Sequence, residues 1–421
     1  MGTTPLAAAR LADAVDPAVP PSIETVRDAA RVLAPLAART PMETSRFLES
    51  ITGAPVHLKC ENLQRTGSYK IRGASYRLSR LSDEERALGV VAASAGNHAQ
   101  GVAFAARELG IRATIFMPNG VALPKLAATR DYGATVELVG TVVDESIAAA
   151  KAFGEVTGAV WIPPFDHPDV IAGQATVGLE ILEDVPDVDT IVVPVGGGGL
   201  IAGIASAVEQ LAPQVRIIGV QVENAAAFPP SLQAGEVRTV PTSATIADGI
   251  AVGTPGTLTF GIVRDLVDEV VTVTDDETAS ALLVLLERAK LVVEPAGAVG
   301  VAALLSGRIR DLGRAVFVLS GGNIDPLMME RVISRGLVAS DRYMTLRIGL
   351  PDRPGQLVAV STVIAQANAN VVEVLHTRHG AGTQISEVQI DISVETRGKA
   401  HQAALLARLE AAGFHPRVMA N

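Results

Sequence analysis

Thr190-Ile191-Val192-Val193-Pro194-Val195-Gly196-Gly197-Gly198-Gly199-Leu200-Ile201-Ala202 passes from a β-branched run through four glycines into a helical pattern. It belongs to the longest uncharged stretch of the chain, 190–208, which is long enough to raise the question of a membrane span. Pro194 and the glycines interrupt that stretch where a lipid-exposed helix would need every backbone group bonded internally. A buried strand, a turn and a helix fit better. One glycine suffices for a turn; four at a helix start offer successive amides to an anion. The run also fits a dinucleotide fingerprint: Gly197, Gly199 and Ala202 have the G-x-G-x-x-A spacing, and Glu223 follows the next predicted strand. Both readings are open at this point.

Working outward, short apolar runs at 56–58, 90–93, 113–117, 135–139, 159–162, 190–195, 216–222, 269–273 and 315–319 alternate with helical patterns. Most are apolar throughout, as strands buried on both faces must be, and the alternation predicts parallel strands in βαβ units. Ser22 precedes the helical spacing Ile23, Val26, Ala30, Leu33, and Gly110 closes a helix over 97–109. The fold class is α/β.

After about residue 340 the period changes. Met344, Leu346, Ile348 and Leu350 alternate with polar or small residues, and Val388, Ile390, Ile392 and Val394 do the same. That is a half-solvated antiparallel sheet. With a helix through Leu357, Val360, Ile364 and Ala367, a strand at 371–375 and a helix at 400–412, the order is βαββαβ, ferredoxin-like. The expected organisation is a loose arm at 1–21, a domain at 22–335 with a smaller subdomain inserted at about 60–155, a linker at 336–342 and a second domain at 343–421.

The bulk numbers exclude several classes. Among 421 residues, 35 basic against 45 acidic groups give a net charge of −10, which argues against nucleic acid and anionic membranes as partners. The single cysteine, Cys60, excludes a disulfide scaffold. Asp13 and Asp16 interrupt the N-terminal apolar stretch, so it does not read as a signal peptide.

Three further segments carry chemistry. In Ser68-Tyr69-Lys70-Ile71-Arg72-Gly73-Ala74, a lysine follows a loop-forming run and enters a helix. Most lysines are simply solvated, and this one gains weight only from the other segments. Ser94-Ala95-Gly96-Asn97-His98-Ala99-Gln100-Gly101 stands at the end of a predicted strand and opens a helix, where ligands of open α/β sheets bind. Plain helix capping by Ser94 and Asn97, with a solvated His98, is an equally good reading of those residues alone. Ser320-Gly321-Gly322-Asn323 is again at a strand end, as a site or as a turn.

A nucleophilic amine, an amide-bearing loop and a phosphate cradle are what a protein needs to hold pyridoxal phosphate (PLP). In this order the segments resemble fold-type II PLP enzymes of the threonine dehydratase (threonine ammonia-lyase) family, over about 20–335. That implies a tryptophan synthase β-like domain of two open parallel-sheet subdomains. Residues 343–421 resemble an ACT domain, a module that usually binds amino acids. The resemblance implies that Lys70 forms the Schiff base with PLP and that Asn97 hydrogen-bonds its 3′ oxygen. It implies that Gly196, Gly197, Gly198, Gly199 and Leu200 bind the phosphate, that Ser320 meets the pyridine nitrogen, and that Gly249 lines the site. Ser94, Asn97 and His98 would take the substrate carboxylate. Asp352, Gly355 and Gln356, between the first strand and helix of the ACT-like part, would meet an effector, with isoleucine or valine the natural guess.

Departures from the family sharpen these expectations. Position 69 is Tyr where Phe is common, and its hydroxyl needs a partner. Position 95 is Ala where serine racemases carry a second-face base, which favours elimination. Some relatives bind a divalent cation through two carboxylates; the matching positions are Gln221 and Ala227, so no metal site is expected, with Glu223 between them. The implied reaction is L-threonine to 2-oxobutanoate and ammonia, with L-serine to pyruvate on the side, in a cytoplasmic homodimer or homotetramer. Serine dehydratase, serine racemase and, from the fingerprint, an NAD-dependent dehydrogenase are the rivals.

Overall fold

The computed structural model describes residues 19–378 and 387–419; most of the arm expected at 1–21 lies outside them. Contacts divide the chain into two units at Pro326/Leu327.

The first unit holds two sheets. The larger runs Met42–Thr44, Val56–Lys59, Ala315–Val318, Thr190–Pro194, Arg216–Val222, Glu269–Val273 in spatial order. All neighbours are parallel except the first pair, which is antiparallel. The smaller sheet, Thr135–Leu138, Ala113–Met117, Val90–Ala93, Val160–Trp161, is parallel throughout. Ile191, Val192 and Val193 are buried on both faces, as an all-apolar central strand demands. The edge strand Met42–Thr44 was not predicted, because three residues after Pro41 show no periodicity.

Helix Ile23–Leu33 starts where Ser22 accepts a hydrogen bond from the Thr25 N–H. Helix Lys70–Ser79 lies against helix Pro168–Asp184 with almost no side chain between them: a Cβ on Gly173 would stand 2.6 Å from the Gly73 Cα. Beneath the crossing, Arg72 is buried. Its guanidinium meets Glu61 at 2.8 Å and Glu180 at 2.6 Å, and the buried Lys59 ammonium meets Glu180 at 2.6 Å. Two cations and two carboxylates thus neutralise one another where none could stand alone.

The second unit has an antiparallel sheet in the order Asn370–Thr377, Glu387–Glu395, Tyr343–Pro351, Arg417–Val418. Helices Gln356–Gln366 and Lys399–Ala411 complete the βαββαβ arrangement. Met344, Leu346, Ile348 and Leu350 face Val388, Ile390, Ile392 and Val394 in one buried cluster. Helix Pro326–Ala339 runs through the first part of the segment read as a linker at 336–342. Just past it, Asp341 takes the left-handed region at φ 57°, with the Arg342 N–H returning to Leu337 O.

Candidate active site

Strands Val56–Lys59, Val90–Ala93, Thr190–Pro194 and Ala315–Val318 deliver the four sequence segments to their C-terminal ends, where parallel sheets leave a crevice. Backbone pairing joins two of them: Ser68 bridges Gly321, and the Tyr69 N–H donates to Ser320 O at 3.1 Å.

Lys70 is the first residue of its helix, and its Nζ donates to Pro164 O at 2.8 Å. Burial lowers the amine from its usual 10.5 to about 8, opposed by the nearby Glu294 carboxylate. A free amine therefore forms far more readily than on a solvated lysine, as a nucleophile or base requires. The Tyr69 ring lies 5.4 Å from Nζ, and burial, then Glu294, raises its phenol well above the usual value.

The Ser94 loop is not a helix cap. Helix Asn97–Glu108 starts without a side-chain cap; Ser94 Oγ accepts from the Gly96 N–H at 3.1 Å instead. Asn97 Nδ2 donates to Glu294 Oε1 at 2.7 Å, while Asn97 Oδ1 accepts from Asn323 Nδ2 at 2.9 Å. His98 is buried, not solvated. Its Nε2 lies 2.9 Å from Ile162 O, which can only accept, so Nε2 carries the proton. Burial, then the Lys70 charge, lowers the imidazole to about 3, and the ring is neutral.

The glycine run makes a cradle that side chains would fill. Gly198 has φ +99°, and a Cβ there would stand 2.7 Å from the Phe228 ring and 2.9 Å from Thr259. A Cβ on Gly197 would enter the Phe165 ring. Thr259 Oγ1 donates to Gly197 O at 2.6 Å and fixes the turn. The amides of Gly197, Gly198, Gly199 and Leu200 have no acceptor among the described residues. Asp166, next to Phe165, accepts from the N–H groups of Thr257, Leu258 and Thr259 and ties this strap to the following helix.

Ser320 is only 3 % exposed. Ser68 Oγ and Thr66 Oγ1, in the adjoining segment, are buried without a partner. Gly249 is in the turn Asp248–Ile250, where a Cβ would stand 3.7 Å from Glu294 Oε1. Bare amides beside glycines, buried hydroxyls without partners and a low-pKa amine suit a phosphorylated pyridine aldehyde.

Sequence reasoning missed Glu294, and it quoted Asn323 within its segment without giving it a role. Glu294 is 5 % exposed, accepts from Asn97 Nδ2 and lies beside Gly249 and Gly321. Burial, then the Asp248 charge, raises its carboxyl to about 7. Its signal was there: it is the lone charge between Lys290 and Arg308, where an acid belongs only if the site uses it. Gln221 Oε1 accepts from the Phe228 N–H at 2.9 Å, and Glu223 lies 3.6 Å from Arg308. In the second unit, Gly355 has φ +91° and precedes helix Gln356–Gln366, and Asp352 pairs with Arg378 at 3.4 Å.

Known proteins resemble the chain along most of its length. Residues 33–321 match the family described as pyridoxal-phosphate dependent enzyme, and residues 344–414 match the ACT domain. The chain belongs to the pyridoxal-phosphate dependent enzymes and is a PLP-dependent α/β protein with a C-terminal ACT domain. An L-threonine ammonia-lyase of Geobacter sulfurreducens is 50 % identical over 377 residues, covering 89 % of this chain and 94 % of the relative. One from Thermotoga maritima is 47 % identical over 398 residues, 94 % of this chain and 99 % of the relative. The solved structure of the processed form of threonine deaminase isoform 2 from Solanum lycopersicum has a TM-score of 0.72 and 35 % identity, covering 76 % of this chain and 91 % of that one. The family matched is that of pyridoxal-phosphate dependent enzymes, which favours the first of the two readings of the glycine run over the dinucleotide one.

Proposed function

We propose that this chain is an L-threonine ammonia-lyase, converting L-threonine to 2-oxobutanoate and ammonia, with L-serine to pyruvate as a slower reaction. The observation that carries the reading is the likeness to threonine ammonia-lyases over nearly the whole chain, ACT domain included. The PLP ring supplies an electron sink for the bond broken at the substrate's α-carbon. Lys70 holds the cofactor, then takes the α-proton on Nζ, and the lowered basicity of that amine supports the role. Asn97 Nδ2 would meet the ring's 3′ oxygen, and the amides of Gly196 to Leu200 would hold the phosphate. Ser320 would offer the pyridine nitrogen a hydroxyl rather than a carboxylate, a partner that does not hold that nitrogen protonated. Gly249 lines the ring's surroundings. Ser94, Asn97 and His98 take the substrate carboxylate at the start of helix Asn97–Glu108, His98 through its backbone N–H because its ring is bonded to Ile162. Ala95 offers no second-face base, so elimination prevails over racemisation.

The catalytic domain, read from the sequence as 22–335, ends in the structure near the unit boundary at Pro326/Leu327, and the ACT domain responds to a branched-chain amino acid near Asp352, Gly355 and Gln356. The exposed Val372, Val374 and Leu375 on its edge strand suit a second copy, in a cytoplasmic homodimer or homotetramer. The reaction would serve isoleucine formation or threonine breakdown. The test is the visible spectrum of the protein loaded with PLP, with L-threonine added and 2-oxobutanoate assayed. Native protein gives a spectral shift and product, and Lys70→Ala gives neither. A band with no 2-oxobutanoate would sink the substrate assignment while leaving the cofactor.

A further inference from the structure

Asn97 is a carboxamide, and its two ends have opposite hydrogen-bonding character. A partner that accepts, such as the oxygen on a pyridine ring, is served only if Nδ2 rather than Oδ1 faces the crevice. Something in the fold must therefore choose the orientation. The choice can be traced to a backbone atom. Asn323 Nδ2 donates to Thr66 O at 2.7 Å. A peptide carbonyl only accepts, so this bond decides which end of the Asn323 amide is nitrogen. The same nitrogen lies 2.9 Å from Asn97 and 3.3 Å from Gln100 Oε1. The atom of Asn97 that meets it must accept, hence Oδ1, and Nδ2 is left facing the Glu294 carboxyl at 2.7 Å. Gly67 makes the arrangement possible. It has φ +72°, and a Cβ there would overlap the Asn323 carboxamide.

We propose that Asn323 is a positioning residue for the reaction: through Thr66 O and Asn97 Oδ1 it fixes the Asn97 amide with Nδ2 toward the cofactor. This rests on the reading of Asn97 as a contact of the ring's 3′ oxygen. A carboxylate at 323 would face three acceptor oxygens; Thr66 O cannot change, so the nearer carboxamide, that of Asn97, would be driven to turn its nitrogen round, alone or together with that of Gln100.

The experiment measures the visible absorption maximum and PLP retention of purified, PLP-loaded Asn323→Asp and Asn97→Ala and of the double variant, with thermal melts as a folding control. Asn323→Asp is expected to move the maximum and weaken retention about ten-fold or more, as loss of a hydrogen bond to a charged group should. In the Asn97→Ala background the same substitution should add less than about two-fold, because its route through Asn97 is gone. A native spectrum and retention in Asn323→Asp, or an equal change with and without Asn97, would overturn the proposal. An unchanged spectrum in Asn97→Ala alone would remove the cofactor contact itself, and the proposal with it. If Asn323→Asp does not fold, Asn323→Ser, whose hydroxyl is too short to span Thr66 and Asn97, is judged by the same double-variant comparison.

Discussion

Removing the charge of Lys70 should make the PLP-free protein more stable. Burial lowers the amine from 10.5 to about 8. At about 1.4 kcal/mol per pH unit, holding it protonated below that range costs the fold about 3 kcal/mol. The sign follows from proton counting. Between pH 8 and 10.5 the unfolded chain keeps a proton on this lysine that the folded chain has released, so stability rises with pH through that window. Lys70→Met has similar length and no charge. It loses the bond to Pro164 O, which gives back about 1 kcal/mol. The net expectation is a gain of about 2 kcal/mol at pH 7 that disappears by about pH 10.5. Urea unfolding of PLP-free native and Lys70→Met protein across that range measures it. If the variant is less stable at pH 7, or its advantage does not change with pH, the amine is not held against a desolvation cost and its assignment as a poised base loses support.

Other expectations follow from the same geometry. Glu294 titrates at about 7 instead of the usual 4.5, so the folded state holds the extra proton and stability falls as pH rises between those values. Glu294→Gln should flatten that part of the native profile in the same unfolding assay. Gly198→Ala should raise the PLP dissociation constant at least about ten-fold in equilibrium dialysis, since the φ of +99° and the Phe228 and Thr259 contacts leave no room for a methyl. Arg72→Met leaves the buried Glu61 carboxylate without a cation, held only by the Thr40 hydroxyl, and should cost about 3–5 kcal/mol in thermal or urea unfolding. Isothermal titration with L-isoleucine and L-valine should show binding to the native protein that Gln356→Ala weakens, and a flat trace for every branched-chain amino acid would reject the effector assignment.

Most strands of both units were legible because their residues announce their surroundings; the short edge strands Met42–Thr44 and Arg417–Val418 were not. Uniform Val and Ile marked parallel strands buried on two faces, and strict alternation marked the sheet of the second unit. The segments that converge on the crevice were legible because each combines a strand end with residues of unusual chemistry. What stayed hidden depends on distance along the chain. Asn97 meets Glu294 across 197 positions and Asn323 across 226, and no local pattern links them. The bland reading of Ser94 and Asn97 as helix caps failed for the same reason: the Asn97 side chain is taken by distant partners. Likewise, nothing near His98 in the sequence shows that Ile162 O will claim its ring.

The four charges beneath the helix crossing also constrain how this chain can diverge. Lys59, Glu61, Arg72 and Glu180 lie on four different elements, and each is tolerable only while its neighbours remain. A lineage can lose the set by replacing it with apolar residues of similar bulk, but it cannot cross that gap one substitution at a time without a poorly folding intermediate. Among descendants and cousins the four positions should therefore change together or stay fixed, whatever substrate the crevice above them has come to accept.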